Sequence, residues 1–306
     1  MPALAGRAWS SRSFGSRFQH WIFYAVIGRF GRGAAQALLR LVVLWYVGFR
    51  PSVRGRTGPY LRRRFPGRGA FGRLRDSYRL SLAFGKVLVD RAALGILGPG
   101  PGPAPEDRVR LQALLAEGRG LILVTAHVGA WQGAMANLAG LEVPVSLLIH
   151  RDGGDVDKQF FEHRPGAPPF TLLDPGGYLG STLEMLQVLN QGGVLCIMGD
   201  RGQGAGTVPV DFLGAPVPLP FSPYKLASAT GAPIAVIFPL DCQGRTPLQL
   251  ARVIRVPGHL GRSAAAYRPY AQQFCQALEA FVEEHPYQFF NFYDMWTSAT
   301  SRKYDQ

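Results

Sequence analysis

Lysine is scarce in this chain. Among 33 basic residues only Lys86, Lys158, Lys225 and Lys303 are lysines, so the positive charge is carried almost wholly by arginine. Acids are few as well, 20 in all, and the formal net charge is +13. Such a balance points to an anionic partner: nucleic acid, anionic lipid or an acidic protein. Cysteine is limited to Cys196, Cys242 and Cys275. An odd number, widely spaced and without a C-x-x-C pair, excludes a disulfide scaffold and fits a reducing compartment. No histidine or cysteine pair has zinc-ligand spacing, which argues against a structural metal. The Gly199–Gly206 stretch, GDRGQGAG, lacks both the Walker lysine and the dinucleotide-fold spacing, and it reads as a turn. Ser222 lacks the G-x-S-x-G surroundings of a nucleophile elbow. What remains is a 306-residue chain, 47% hydrophobic, with enough apolar content for one large α/β domain or two small ones.

The stretch Leu121 to Leu138, LILVTAHVGAWQGAMANL, organises the rest. Leu121–Val124 is an apolar, partly β-branched run, Thr125–His127 is small and polar, and Trp131, Met135 and Leu138 then follow helical spacing. This predicts a buried strand, a tight turn at His127 and a helix over Gly129–Leu138. In open α/β sheets the ligand crevice lies beyond the carboxyl ends of the strands, so His127 stands where chemistry is done. Gln132 follows five residues on, about 140° away around a helix of 3.6 residues per turn. The two side chains meet only if the imidazole sits before the first turn and folds back. A neutral ring held by an acceptor is what a general base needs, and a helix N-terminus keeps it neutral. A capping or core histidine is the other reading of the same spacing.

Upstream, Trp21 to Phe49 is apolar and aromatic but is broken by Arg29, Arg32, Gln36 and Arg40. A membrane-spanning helix needs roughly 20 apolar residues, more than these arginines leave uninterrupted. No small-residue cleavage site follows the short apolar core at Trp21–Ile27, which argues against a signal peptide. An interfacial helix with Trp21, Trp45 and Tyr46 near the boundary fits better; a buried helix of a soluble domain is the alternative. Between Arg50 and Arg79 ten arginines face the single acid Asp76. Next to a membrane-seeking helix that run reads as a patch for anionic lipid. A nucleic-acid module would set stacking aromatics in a recognisable pattern, and Tyr60, Phe65, Phe71 and Tyr78 form none, so no nucleic-acid partner is expected. Leu80–Leu97 is predicted helical, and GPGPGPAP (Gly98 to Pro105) is a linker. The domain boundary is placed there, giving residues 1–97 and 98–306.

Beyond the linker, helices and strands alternate. Helices are predicted over Asp107–Glu117, Gly180–Asn190, Pro223–Thr230 and Tyr267–Glu284. Strands are predicted over Val143–Ile149, Gly193–Met198, Ile234–Phe238 and Leu248–Val256. That order argues for a mostly parallel sheet flanked by helices, an α/β class. His127, Arg151 and Asp200, each just past a strand, then gather at one end of the sheet.

These features together resemble the bacterial lipid A biosynthesis acyltransferases, the late lauroyl and myristoyl transferases, within the wider lysophospholipid acyltransferase group. The resemblance rests on several stretches: Y-L-R-R-R-F at Tyr60–Phe65, FGKVLVDR at Phe84–Arg91, the His127 block and the basic segment around Arg164. It extends to Gly199-Asp200-Arg201-Gly202, Val210–Gly214 and the closing HPYQFFNFYDMW at His285–Trp296. It implies a glycerolipid acyltransferase-like fold with an N-terminal membrane-associated region on the cytoplasmic face of a bacterial inner membrane. The implied reaction moves a fatty acyl chain from an acyl carrier protein thioester to a hydroxyl of a lipid A precursor or related glycolipid. The resemblance further implies no covalent acyl-enzyme and no cofactor, with acyl-ACP or acyl-CoA as co-substrate. His127 and Gln132 would be catalytic; Arg151, Arg164, Asp200 and Arg201 would hold substrate. In the family the histidine is followed five residues on by Asp or Glu, and here Gln132 stands in that place. Two alternatives stay open: a catalytically weakened lipid-binding or scaffold protein on the same fold, and transfer to an aminolipid or pigment head group.

Overall fold

The computed structural model describes residues 17–97, 105–131, 138–149, 170–174, 181–202, 206–240 and 248–296. The chain opens with three helices, α1 (Arg17–Phe49), α2 (Pro51–Arg64) and α3 (Ala70–Leu97). Helix α1 is interrupted at Gly31, whose φ of 75° and ψ of 179° no side-chain-bearing residue adopts without strain. Just past that break Arg32 and Gln36 both bind Asp90 of α3, Arg32 Nη2 at 2.8 Å and Gln36 Nε2 at 2.9 Å. Around them Ile27, Ala35, Leu39, Val43 and Val47 pack with Val89 and Ala93 into a small core of their own. The helical character expected upstream of Gly98 is present, and the helix expected from Leu80 starts earlier, at Ala70.

Eight of the ten arginines lie on α2 and α3, and part of the run serves the fold. Arg54 Nη1 donates to Gly48 O at 2.8 Å and Arg64 Nε to Val282 O at 2.9 Å. Each supplies a donor, and a positive charge, to carbonyls that a helix C-terminus leaves unsatisfied. The opposite faces of α2 and α3 bury Tyr60, Leu61, Leu80 and Val87 in the same apolar cluster as the central sheet. Tyr60 is fully buried, and its hydroxyl donates to Pro286 O at 2.7 Å.

The central sheet has six strands: β1 (Leu121–Thr125), β2 (Val145–Leu148), β3 (Thr171–Leu173), β4 (Val194–Met198), β7 (Ile234–Pro239) and β8 (Leu248–Ile254). Their order is β3-β2-β4-β1-β7-β8. All pairs are parallel except β7 with β8. Strands buried on both faces read as continuous apolar runs, as β1 and β7 do over their whole length. Alternate residues divide between two cores. Ile122 and Val124 face the side with α2, α3 and the long helix α7 (Arg268–Glu284). Leu121 and Leu123 face the other side, with Leu111 and Leu114 of α4 (Pro105–Leu115). Two shorter helices, α5 (Thr182–Asn190) and α6 (Ser222–Thr230), fall where the apolar spacing places them.

Two strands not anticipated from the sequence, β5 (Thr207–Phe212) and β6 (Ala215–Pro220), form a separate hairpin. Its two-residue turn, Leu213 at φ 48° and Gly214 at φ 76°, has both central residues at positive φ, as the twist of a tight hairpin demands. Prolines at 209, 216, 218 and 220 hide these strands from a propensity reading, yet a two-stranded ribbon is all edge, where proline is tolerated. Val208, Val210, Phe212, Val217 and Leu219 point inward. The outer edge of β5 is covered by α7, whose Gln272 side-chain amide both accepts from Asp211 N (2.8 Å) and donates to Asp211 O (2.9 Å). The strand β3 was also missed.

Candidate active site

The site is set by register. Strands β1 and β4 are parallel neighbours with Thr125 opposite Met198. His127 lies two residues past the end of β1 and Asp200 two past the end of β4, so equal overrun brings them side by side at the carboxyl edge. The two loops are tied by Gly199 N donating to Thr125 O at 2.7 Å. His127 Nδ1 lies 2.9 Å from Asp200 Oδ1 and 3.0 Å from Oδ2. The Asp200 side chain is 2% exposed and that of His127 19%, so the carboxylate is enclosed while the imidazole reaches the surface.

The glycines bracketing Asp200 have a steric cause. A Cβ on Gly199 would come within 2.6 Å of Val124 Cγ1 and 3.0 Å of Phe274 Cζ; one on Gly202 would meet Pro218 O at 2.6 Å. The loop after β4 thus threads a gap with no room for side chains on either side of Asp200-Arg201.

The electrostatics favour a charged Asp200. Full burial pushes its carboxyl up, but the neighbouring imidazole, the hydrogen bond it makes and the Arg201 guanidinium outweigh that, leaving it below the ordinary carboxylate value. Arg201 Nε lies 4.0 Å from Asp200 Oδ2, and its guanidinium sits 5.8 Å above the Tyr293 ring. Burial holds the Tyr293 phenol well above its ordinary value, Asp200 adding to the shift and Arg201 opposing it, so Tyr293 stays a neutral hydroxyl. Trp131 packs against the imidazole at 6.0 Å between ring centroids, nearly edge-on at 67°.

The C-terminal segment closes over the backbone of this site. Phe290 N donates to His127 O (2.8 Å), Gly129 N to Gln288 O (2.9 Å), and Val128 pairs with Phe289 as an isolated bridge. Farther along, Trp296 Nε1 donates to Phe212 O of the hairpin at 3.1 Å, and the Arg63 guanidinium covers the Trp296 ring at 4.6 Å. The expected helix does not start at Gly129: Val128 is in a bridge, Gly129 and Ala130 form a turn and helical geometry appears at Trp131, while 132–137, most of the expected helix, lie outside the described residues.

Of the residues anticipated for the site, His127, Asp200 and Arg201 are brought together. Gln132, Arg151 and Arg164 lie outside the described residues. The acceptor bound at Nδ1 is Asp200, which the sequence reading had assigned to substrate, whereas Gln132 had been expected to hold the ring. Tyr293, and the role of Gln288–Phe290 in pinning the His127 loop, were missed. The dense aromatic run at the chain's end was the available signal, but nothing local says which loop it crosses.

A mostly parallel sheet with a buried carboxylate against a partly buried histidine, both just past adjacent strand ends, defines an α/β protein with a histidine–aspartate pair at the carboxyl edge of its sheet. The pattern of the bacterial lipid A biosynthesis acyltransferases matches residues 106–298, more than half of the chain and both members of this pair, and the chain belongs to that family. Among curated proteins it is similar to the phosphatidylinositol mannoside acyltransferase of Mycolicibacterium smegmatis, 29% identical over 133 residues, which is 43% of each chain. It is also similar to that of Mycobacterium tuberculosis strain H37Rv, 31% identical over 134 residues, 43% of this chain and 41% of the relative. The matched region spans less than half the length of these relatives.

Proposed function

We propose that this protein is an acyltransferase that moves a fatty acyl chain from a thioester donor, acyl carrier protein or coenzyme A, to a sugar or inositol hydroxyl of an anionic glycolipid. The single observation that carries the mechanism is Asp200 at 2.9 Å from His127 Nδ1. A carboxylate accepting from Nδ1–H fixes the tautomer in which Nε2 is the basic nitrogen, and it stabilises the imidazolium that forms during reaction. His127 Nε2 takes the proton of the acceptor hydroxyl as its oxygen attacks the thioester carbonyl. The tetrahedral adduct then collapses, the C–S bond breaks, and the imidazolium returns its proton to the departing thiolate. The products are an ester and a free thiol, with no acyl group on the protein. Arg201, 4.0 Å from Asp200, adds to the larger effect of His127 in keeping the carboxylate charged; Gln132, Arg151 and Arg164 remain candidates for holding the ring and the substrates.

The acceptor class draws support from the phosphatidylinositol mannoside acyltransferases, to which this chain is similar, and from the lipid A family it belongs to. An anionic glycolipid acceptor suits an arginine-rich protein. Among the described residues no helix is long and apolar enough to cross a membrane. Helix α1 exposes Phe18, Trp21, Leu41, Leu44, Trp45 and Phe49. Positions 41, 44, 45 and 49 lie along one helical face, and Arg50 stacks beside Trp45 and Tyr46. An aromatic face rimmed by arginine suits a helix lying in the headgroup region of the cytoplasmic leaflet.

The test is acyl transfer by the purified full chain, with palmitoyl-CoA or palmitoyl carrier protein as donor and phosphatidylinositol mannosides or a lipid A precursor as acceptors. Ester product with one added chain is the expected result. His127→Ala should lower the rate by about 10²–10⁴-fold, the range typical of general-base catalysis. Wild-type activity in that variant would refute the mechanism.

A further inference from the structure

Between α3 and the segment that follows α7 lies a cavity of about 410 Å³. One wall is a single stripe of α3, with Arg79, Ala83, Lys86 and Val87 at helical spacings of four, three and one. The facing wall includes His285, Tyr287, Gln288 and Phe290. Two of these wall residues are the ones whose backbone holds the His127 loop, through Gly129 N to Gln288 O and Phe290 N to His127 O. The cavity is therefore one backbone hydrogen bond from the acid–base centre.

Its chemistry is amphiphilic. Ala83, Val87 and Phe290 give an apolar side, while Arg79 and Lys86 bring two cations against one acid, Glu284. The Glu284 carboxylate is 70% exposed and faces His285 at 3.5 Å. Neither Arg79 nor Lys86 forms an ion pair among the described residues. The Arg79 guanidinium is already positioned, 5.3 Å over the Tyr287 ring, and the Tyr287 hydroxyl is anchored by donating to Asp76 at 2.7 Å. Arg79 and Lys86, seven residues or about two helical turns apart on α3, offer a guanidinium and an ammonium as donors to phosphate oxygens.

We propose that this cavity binds the phosphate ester of a substrate, with the adjoining apolar wall taking the chain next to it. The proposal rests on the acyltransferase reading for its choice of ligand. That reading offers two sources of the same chemistry: the phosphopantetheine arm of the acyl donor and the phosphodiester of an anionic glycolipid acceptor.

The experiment measures equilibrium binding to the full chain in detergent with two pairs of soluble probes, each pair differing only by the phosphate. They are 4′-phosphopantetheine against pantetheine, and glycerophosphoinositol against inositol. Wild type should bind one phosphate probe at least about tenfold more tightly than its partner, the size of one charge-assisted hydrogen bond; which pair shows it names the source. Arg79→Gln with Lys86→Gln should bring that preference to within about twofold, whereas Lys225→Gln, an exposed lysine on α6, should leave it intact. Because Arg79→Gln also loses the stacking on Tyr287, its melting temperature is compared with wild type. If it is lowered, Lys86→Gln alone carries the test and should weaken the phosphate probe by about fivefold or more. No phosphate preference in wild type, or a preference that survives in folded variants, overturns the proposal. Binding is read without turnover, so acyl transfer by the same preparation judges the acyltransferase reading separately.

Discussion

Asp200→Asn is the most informative single change. Asparagine keeps the volume of a side chain that is 2% exposed, so packing against Gly199 and Arg201 is preserved and only the charge is lost. The Nδ1···Oδ contacts of 2.9 and 3.0 Å put the imidazolium and carboxylate charge centres about 4 Å apart. With an effective dielectric near 20, two unit charges at that separation attract by about 4 kcal/mol. If this attraction is realised only once the imidazole is protonated, its loss slows the chemical step about 10³-fold. Asparagine also has an N–H, which when turned toward Nδ1 would favour the tautomer with its proton on Nε2, unable to act as base. The assay is kcat/KM by thiol release from palmitoyl-CoA with acceptor present, alongside a melting curve. The pH dependence of stability gives a second reading. The folded carboxyl is lowered from 3.8, so the stability that ionised Asp200 contributes is fully present above that value. It is lost as the pH falls through the lower folded value. The difference in melting temperature between wild type and Asp200→Asn should thus be constant near neutrality and shrink only below pH 3.8. A well-folded Asp200→Asn enzyme with unchanged kcat/KM would refute the histidine–aspartate mechanism.

Other outcomes follow from the same geometry. Gln132→Ala should cost less than about tenfold in kcat/KM, below the range for losing the base, because Asp200 already aligns the ring; a loss equal to that of His127→Ala would make Gln132 a principal catalytic group. Gly199→Ala forces a methyl to within 2.6 Å of Val124 Cγ1; it should destabilise the fold by about 1–3 kcal/mol and lower kcat by displacing Asp200, and unchanged melting and activity would contradict the packing described. Replacing Phe18, Trp21, Leu44 and Phe49 by serine should move the protein off anionic vesicles by more than about tenfold, since burying each side chain is worth roughly 1.5–3 kcal/mol. Equal partitioning of the variant and wild type would sink the interfacial role of α1.

Several elements were legible without the fold. Leu121–Val124 and Ile234–Phe238 are apolar runs too short for buried helices, and both are strands; Leu80–Leu97 and Tyr267–Glu284 carry helical spacing, and both are helical. The β5–β6 hairpin was hidden because proline lowers strand propensity without regard to whether the strand has a second neighbour. The Arg50–Arg79 run could be counted, but not that Arg54 and Arg64 close helix ends, since a C-terminal carbonyl 218 residues away in the case of Arg64 leaves no local trace.

The sequence by itself determined that a histidine and an aspartate each stand just past the end of a buried strand, with glycines on either side of the Asp200-Arg201 pair. Which acceptor the histidine meets was decided by the tertiary structure alone. Asp200 is 73 residues from His127, so nearness in the chain gave no sign of that contact, while Gln132, five residues on, lies outside the described residues. Strand order reverses that distance. Once β4 inserts between β2 and β1 with Thr125 opposite Met198, the two loops share an edge, and His127 Nδ1 meets the Asp200 carboxylate. Local pattern encodes which residues form strands. Adjacency and register depend on how all the strands and their covering helices bury their faces together, and that is a property of the whole chain.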